Sequence, residues 1–170
     1  MGLDIIIKAR TEKQDEIPAC YGLSRSFCRL ICDRSEMKGD IPELTQLFGF
    51  LGIDGSILDR ANVWLMDSEI LYGGSINLTK EEINSYYEKS WQPVVQFLNL
   101  FEKLYKALEK KPMLLQKLNL NYDWMRNYFE GFDEKNGDDN TAKNFGWDLR
   151  TIIEYLRKLE ANSTLRFHFF

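Results

Sequence analysis

Leu165-Arg166-Phe167-His168-Phe169 alternates apolar and polar side chains, which is the pattern of a β-strand with one buried face. A second short stretch, Leu3-Asp4-Ile5-Ile6-Ile7-Lys8, is rich in β-branched residues and also predicts a strand. Two strands alone are only marginally stable in water. We therefore expect the two strands to be neighbours in one small sheet that is covered by helices.

The sequence that follows the first strand predicts three helices. One face of the first helix carries Leu23, Phe27, Leu30 and Ile31. Pro42 suits the first turn of a second helix, and Gly52 suits its end. Ser56 together with Asp59 predicts the cap of a third helix that runs to about Met66.

A capping box begins the next helical region. Thr79-Lys80-Glu81-Glu82 has the required spacing, and a broad apolar stripe continues from it to Leu108. Pro93 interrupts the stripe. The sequence leaves two alternatives there: one helix with a kink near Lys89, or a new helix with Ser90 as its cap.

The remaining helices and loops complete the predicted architecture. Tyr122–Phe132 predicts a short aromatic helix, and a clean apolar face predicts a last helix over about Lys143–Ala161. The polar stretches Lys8–Pro18 and Asp133–Asn140 predict surface loops. We expect residues 1–170 to form a single α+β domain, mostly helical, with four to six helices covering the sheet.

Composition narrows the classes of function. The chain of 170 residues has a formal net charge of −4, which gives no support to a dedicated nucleic-acid binder. No stretch approaches the roughly 20 apolar residues that span a bilayer, so no membrane association is expected. An odd number of cysteines without a signal peptide predicts reduced thiols and a cytoplasmic protein.

The inventory for catalysis is small. His168 is the one histidine, and no phosphate-binding loop, dinucleotide fingerprint or metal motif occurs, so no catalytic residue and no cofactor is predicted. Cys28 and Cys32 share a helix face and are the best metal candidates, but a structural zinc site needs four ligands. Small buried apolar residues are the better interpretation. A pair of His168 with Cys20 or Cys28 is formally available to nucleophilic catalysis.

The ends of the chain resemble those of a group of small uncharacterised proteins of bacteria and their phages. These proteins begin with Met-Gly-Leu-Asp and an apolar strand, here Met1-Gly2-Leu3-Asp4-Ile5-Ile6. They close with a helix such as Asp148–Leu156 and an aromatic-rich strand, here Phe167-His168-Phe169-Phe170. The resemblance implies a fold and a phage or mobile-element context; it implies no activity.

Aromatic residues give the strongest indication of function. Five of them fall within eleven residues: Tyr122, Trp124, Tyr128, Phe129 and Phe132. Because tyrosine and tryptophan are enriched at interface hot spots, we expect a surface that binds a protein, either a second copy or another chain. The leading hypothesis is a non-catalytic interaction or accessory factor. The alternatives are an enzyme with a carboxylate or cysteine pocket, and nucleic-acid binding through Arg25 and Arg29.

Overall fold

The computed structural model describes residues 4–34, 41–74, 77–130, 132 and 143–170. Its strands are β1 (Ile5–Arg10), β2 (Glu16–Cys20), β3 (Gln92–Pro93) and β4 (Thr164–Phe169). Within these ranges the α-helices are α1 (Arg25–Asp33), α2 (Glu43–Leu51), α3 (Ser56–Ala61), α4 (Trp64–Tyr72), α5 (Lys80–Lys89), α6 (Val94–Lys110), α7 (Arg126–Phe129) and α8 (Phe145–Leu156). The architecture is the expected α+β arrangement of a small sheet and covering helices.

The two predicted strands are neighbours at the centre of the sheet. The strand order is β2-β1-β4-β3, and all pairs are antiparallel. The β1–β4 register runs from Ile5 opposite Phe169 to Arg10 opposite Thr164. Alternate side chains of both strands enter one apolar core, as the sequence pattern predicts.

The prediction of a loop over Lys8–Pro18 is wrong in part, because β1 runs on to Arg10 and β2 begins at Glu16. A tight turn with Gln14 at φ 68° connects β1 to β2. Most β2 residues remain exposed or half-buried, since β2 lies at the edge of the sheet. An edge strand of this kind needs little apolar sequence, and proline is tolerated in it.

The helix caps follow the sequence closely. Ser24 caps α1 by accepting a hydrogen bond from Phe27 N–H, and Gly52 ends α2 in the left-handed conformation. The capping box of Thr79 and Glu82 is present at the start of α5. Pro93 separates two helices rather than kinking one, because it pairs in β3 immediately before α6. Ser90 ends α5 and does not begin α6.

The prediction of a third helix from Ser56 to about Met66 is wrong, since two helices occupy this region. Asn62 has an extended backbone, and its side chain accepts from Trp64 N–H and donates to Ile31 O. These bonds break the helix after α3 and begin α4. Asp59 is not a cap; it forms an ion pair with Arg34 at 2.8 Å. The described ranges contain eight α-helices, more than the predicted four to six, and this split is one reason.

The later helices are shorter than predicted. The aromatic segment forms a 3₁₀ turn, Asp123–Met125, followed by the single turn of α7. α8 begins after Asn144, which accepts a hydrogen bond from Trp147 N–H, and it ends at Leu156. The predicted loop Asp133–Asn140 lies outside the described residues. In the described ranges, no helix combines the length and apolar character that a membrane crossing requires.

Candidate functional site

The outer face of the sheet carries four basic residues on its two central strands. We name Lys8, Arg10, Arg166 and His168 the cationic face. Lys8 lies directly opposite Arg166 in the β1–β4 register. Like charges directly opposite each other destabilise a sheet, so packing alone does not account for this pair.

Arg10 is held in place by contacts on several sides. Its Nη1 and Nη2 donate to the two carboxylate oxygens of Glu88 at 3.2 and 3.0 Å. Its Nε donates to Thr164 Oγ1 at 3.4 Å, and its guanidinium lies 4.3 Å from the centre of the Trp91 ring. The paired N–H groups of an arginine match a carboxylate in this geometry, and the ring contact limits their motion.

Arg166 is partly buried and lies between two aromatic rings. Its guanidinium is 4.5 Å from the Tyr87 ring centre and 5.0 Å from that of Trp91. Its Nε and Nη1 are buried and have no hydrogen-bond acceptor among the described residues. Burial lowers the pKa of Arg166, while the charges of Asp67, Tyr87 and Glu88 act in the opposite direction.

Asp67 connects three elements at the end of this face. The buried carboxylate accepts from Tyr87 OH at 2.6 Å and from Phe169 N–H at 3.0 Å. Burial and the bond to Asp67 raise the pKa of Tyr87 well above its usual range. His168 Nδ1 lies 3.4 Å from Asp67 Oδ2.

α5 covers part of the cationic face without entering the core. None of its ten residues is buried. Its contacts with the body include the hydrogen bond of Tyr87 to Asp67, the ring contact of Tyr87 with Arg166 and the ion pair of Glu88 with Arg10. Because few apolar side chains anchor it, we expect α5 to open more easily than the helices that contribute buried residues.

The C-terminal end of α4 carries three consecutive large apolar residues that stay about half or more exposed among the described residues. Trp64 and Asp67 lie on the buried side of this helix. Ile70 and Leu71 follow Asp67 by three and four residues, so they lie on the same side of the helix. Nevertheless, Ile70 is 53% exposed and Leu71 is 47% exposed. Tyr72 is 72% exposed. We name Ile70, Leu71 and Tyr72 the α4 end.

The predicted aromatic binding surface divides into core and surface residues. Tyr128, Phe129 and Phe132 are buried, which assigns them to the core in place of the predicted surface. The physical reason is packing: the rings of Tyr128 and Phe129 contact Phe145, and Phe132 contacts Tyr105. Trp124 is 51% exposed and stacks on the half-buried Tyr122 at 5.7 Å between ring centres. The structure therefore leaves two of the five rings at the surface.

The three cysteines lie in the core. Cys28 and Cys32 are buried on α1 with their sulfur atoms 4.0 Å apart. Burial raises the pKa of Cys20 to about 11, and the charge of Asp148 adds to this effect. Among the described residues no group of three or more metal-ligating side chains occurs. The geometry of Cys28 and Cys32 thus offers two of the four ligands that a structural zinc ion takes.

Among the described residues, the catalytic alternatives gain no geometric support. His168 pairs with Ile6, whereas Cys20 pairs with Ile7, so the imidazole and the thiol lie on opposite faces of the sheet. Asp148 has the raised pKa expected of a catalytic acid, through burial, but it is fully buried and hydrogen-bonded to Ser24 and Tyr128. These contacts give Asp148 a structural role.

The basic helix face predicted for nucleic acid is neutralised by acidic neighbours. Arg25 Nε lies 3.8 Å from Asp4 Oδ1, and Arg29 Nη2 lies 2.7 Å from Asp33 Oδ1. An open groove of about 230 Å³ between α6 and α8 is similarly mixed in charge, since Glu102 pairs with Arg157 at its rim. Neither surface offers the row of uncompensated cations that a phosphate backbone requires.

No protein-family model, curated protein or solved structure matches this chain. The site therefore rests on its own geometry. Sequence reasoning missed both the cationic face and the α4 end. The basic residues at alternate positions, Lys8 and Arg10 on one strand and Arg166 and His168 on the other, were the available signal for the first. No sequence signal indicated the α4 end, because apolar residues at the end of a helix usually pack into a core.

Proposed function

We propose that this protein is a non-catalytic interaction factor that binds another protein through the α4 end. The observation that carries the proposal is the exposure of Ile70 and Leu71. They lie on the same side of α4 as Trp64 and Asp67, which are buried. Large apolar side chains grouped on a monomer surface mark interaction sites more often than scattered ones do. Tyr72 adds an aromatic residue of the type enriched at hot spots.

The partner is a protein surface of matching apolar character, supplied by a second copy or by another chain. Leu78 is 44% exposed shortly after α4, and Tyr86 on α5 is 37% exposed. These residues extend the apolar character along the chain on both sides of the capping box. The stacked Trp124 and Tyr122 form a separate aromatic surface that such a partner could also contact. The proposed setting is the cytoplasm of a bacterial host, in the phage or mobile-element context that the sequence resemblance implies.

The α4 end is tested by a double substitution, Ile70→Ser with Leu71→Ser. Sedimentation velocity of the purified protein over a range of concentrations measures self-association, and a tagged pull-down from host lysate with nuclease measures capture of another chain. We expect the double variant to lose the dimer or the stoichiometric nuclease-resistant partner that the wild type shows. Removal of two apolar anchors from an interface core weakens binding by about 2–4 kcal/mol.

The matched control is Met113→Ser, which removes another apolar side chain that is 62% exposed. It should leave both measurements unchanged. A wild-type protein that is monomeric at high concentration and captures no partner would overturn the proposal. Loss of binding in the control to the same extent as in the double variant would also overturn the assignment to the α4 end.

A further inference from the structure

We propose that the cationic face is a carboxylate-binding site for an acidic peptide segment of a protein partner, and that Glu88 occupies it in this structure. The site goes beyond the proposed function, because it uses none of the residues of the α4 end. It lies on the rigid central strands β1 and β4, where the residues are fixed by backbone pairing along the full length of both strands.

The ion pair of Arg10 with Glu88 shows which ligand chemistry the face accepts. Both nitrogen atoms of the guanidinium fork bind the two oxygens of one carboxylate. The two partners differ in their surroundings: the Arg10 side chain is 15% exposed, while that of Glu88 is 60% exposed. Arg10 is therefore the prepared receptor, and Glu88 is the exposed and replaceable occupant.

The attachment of Glu88 is weak enough for a partner to displace it. Glu88 lies on α5, none of whose residues is buried. The bidentate geometry places this pair at the upper end of the about 0–1 kcal/mol that exposed ion pairs contribute to stability. Glu88 nevertheless competes with an incoming carboxylate, because its tether to the same chain gives it a high effective concentration. Its removal should therefore raise the affinity for a ligand in solution.

The rest of the cationic face favours a ligand with more than one carboxylate. Lys8 and Arg166 form a like-charge pair across the strands, and Arg166 has two buried donors without an acceptor among the described residues. Residues on one face of a strand repeat at about 7 Å, which matches alternate acidic side chains of an extended peptide. A carboxylate near Arg166 would add to the compensation that the charges of Asp67, Tyr87 and Glu88 already give its guanidinium.

The test is the binding of a fluorescein-labelled hexaglutamate peptide to the purified full-length protein, followed by fluorescence anisotropy. Glu88→Gln removes the internal carboxylate, and Glu81→Gln on the same helix is the matched control. We expect Glu88→Gln to bind the peptide about threefold to tenfold more tightly than the wild type, and Glu81→Gln to bind it like the wild type. High salt should weaken the binding of the peptide to the wild type and to both variants.

A second variant tests the receptor. Adding Arg10→Gln to Glu88→Gln should return the affinity to the wild-type value or below it, with an unchanged circular dichroism spectrum. Equal affinities of Glu88→Gln and Glu81→Gln would overturn the proposal, as would full affinity in the double variant. A labelled hexathymidylate that binds Glu88→Gln as tightly as hexaglutamate would overturn the assignment to carboxylates. None of these results depends on the α4 end, so the two proposals fail separately.

Discussion

Asp148 joins α8 to the beginning of α1 through hydrogen bonds that end on one buried carboxylate. Ser24 donates from its backbone N–H at 2.9 Å and from its hydroxyl, and Tyr128 OH donates at 2.7 Å. The Ser24 hydroxyl oxygen in turn caps α1. A charge of this kind is expensive to bury and is retained where its hydrogen bonds fix the relative position of elements.

Asp148→Ala should lower the free energy of unfolding by about 3 kcal/mol, because Ser24 N–H and Tyr128 OH lose their acceptor at a fully buried position. Urea denaturation measures the change. Glu154→Ala is the matched control, since this residue is an exposed acid on the same helix; it should change stability by less than about 0.5 kcal/mol. Equal stability of the two variants would show that the Asp148 hydrogen bonds contribute nothing measurable.

The same residue predicts a pH dependence of stability. Burial raises the pKa of Asp148 above its ordinary value of 3.8, against the effect of its hydrogen bonds. The native state therefore binds the proton more tightly than the unfolded state. Its contribution to stability is fully present below the unfolded pKa and is lost as pH rises through the folded pKa.

Asp148→Asn cannot titrate and isolates this contribution. The free energy of unfolding of the wild type, minus that of Asp148→Asn, should fall as pH rises through that window and then stay constant. Urea titrations at a series of acidic pH values measure the difference. A difference that is constant with pH, or that rises with it, would contradict the predicted direction of the pKa shift.

The cysteines give a second prediction at the scale of single residues. With the pKa of Cys20 raised to about 11, only about one molecule in a thousand carries its thiolate at pH 8. Cys28 and Cys32 are buried in the core. Native protein should therefore react very slowly with Ellman's reagent, whereas protein in guanidinium should release three equivalents of the chromophore at once. Rapid reaction of native protein would place a thiol at the surface.

At the scale of elements, local sequence signals predict helix caps but miss features that depend on contacts between distant parts of the chain. The capping box at Thr79 is read directly from the sequence, because its chemistry involves only neighbouring residues. The break at Asn62 was not predicted, since it depends on a hydrogen bond to Ile31 O in a different helix. β2 escaped prediction for the same reason: its pairing with β1 compensates for a weak strand sequence.

α5 should open as a unit at a lower free energy than the core helices. Because none of its residues is buried, its amide hydrogens should exchange faster than those of α6 and α8, which contribute many buried residues. Tyr87→Phe removes the bond to Asp67 and should speed exchange in α5 by about threefold to tenfold. Hydrogen-exchange mass spectrometry of native protein measures both effects. Exchange in α5 as slow as in α6 would contradict this account.

For the molecule as a whole, the sequence predicts the fold better than the site. Apolar periodicity identifies the central strands and the long helices, because a single core selects for it. The same periodicity misleads at Tyr128 and Phe129, whose rings the sequence alone cannot distinguish from surface aromatics. The cationic face forms only when β1 and β4 pair in register. This pairing places Lys8 opposite Arg166, although the two residues lie near opposite ends of the sequence.

Phe97 lies where the helices meet the sheet, and it tests whether this core unfolds cooperatively. Its ring packs 6.0 Å from Phe167 of β4 and 6.2 Å from Phe101, which in turn contacts Phe27 of α1. Phe97→Ala should cost about 3–5 kcal/mol, and Phe97→Leu about 1–1.5 kcal/mol. Val95→Ala on the exposed side of α6 should change stability by less than about 0.5 kcal/mol.

Because one apolar cluster joins the sheet to the helices, the loss of stability at Phe97 should affect all the elements that contribute to this cluster together. Thermal unfolding of Phe97→Leu, followed by far-UV circular dichroism and by tryptophan fluorescence, should give one shifted midpoint common to both signals. Phe97→Ala should shift that midpoint further, and it removes a large part of the 5–15 kcal/mol typical of a domain. Two separate midpoints in either variant would mean that the helices and the sheet form distinct cores, contrary to the continuous packing from Phe27 to Phe167.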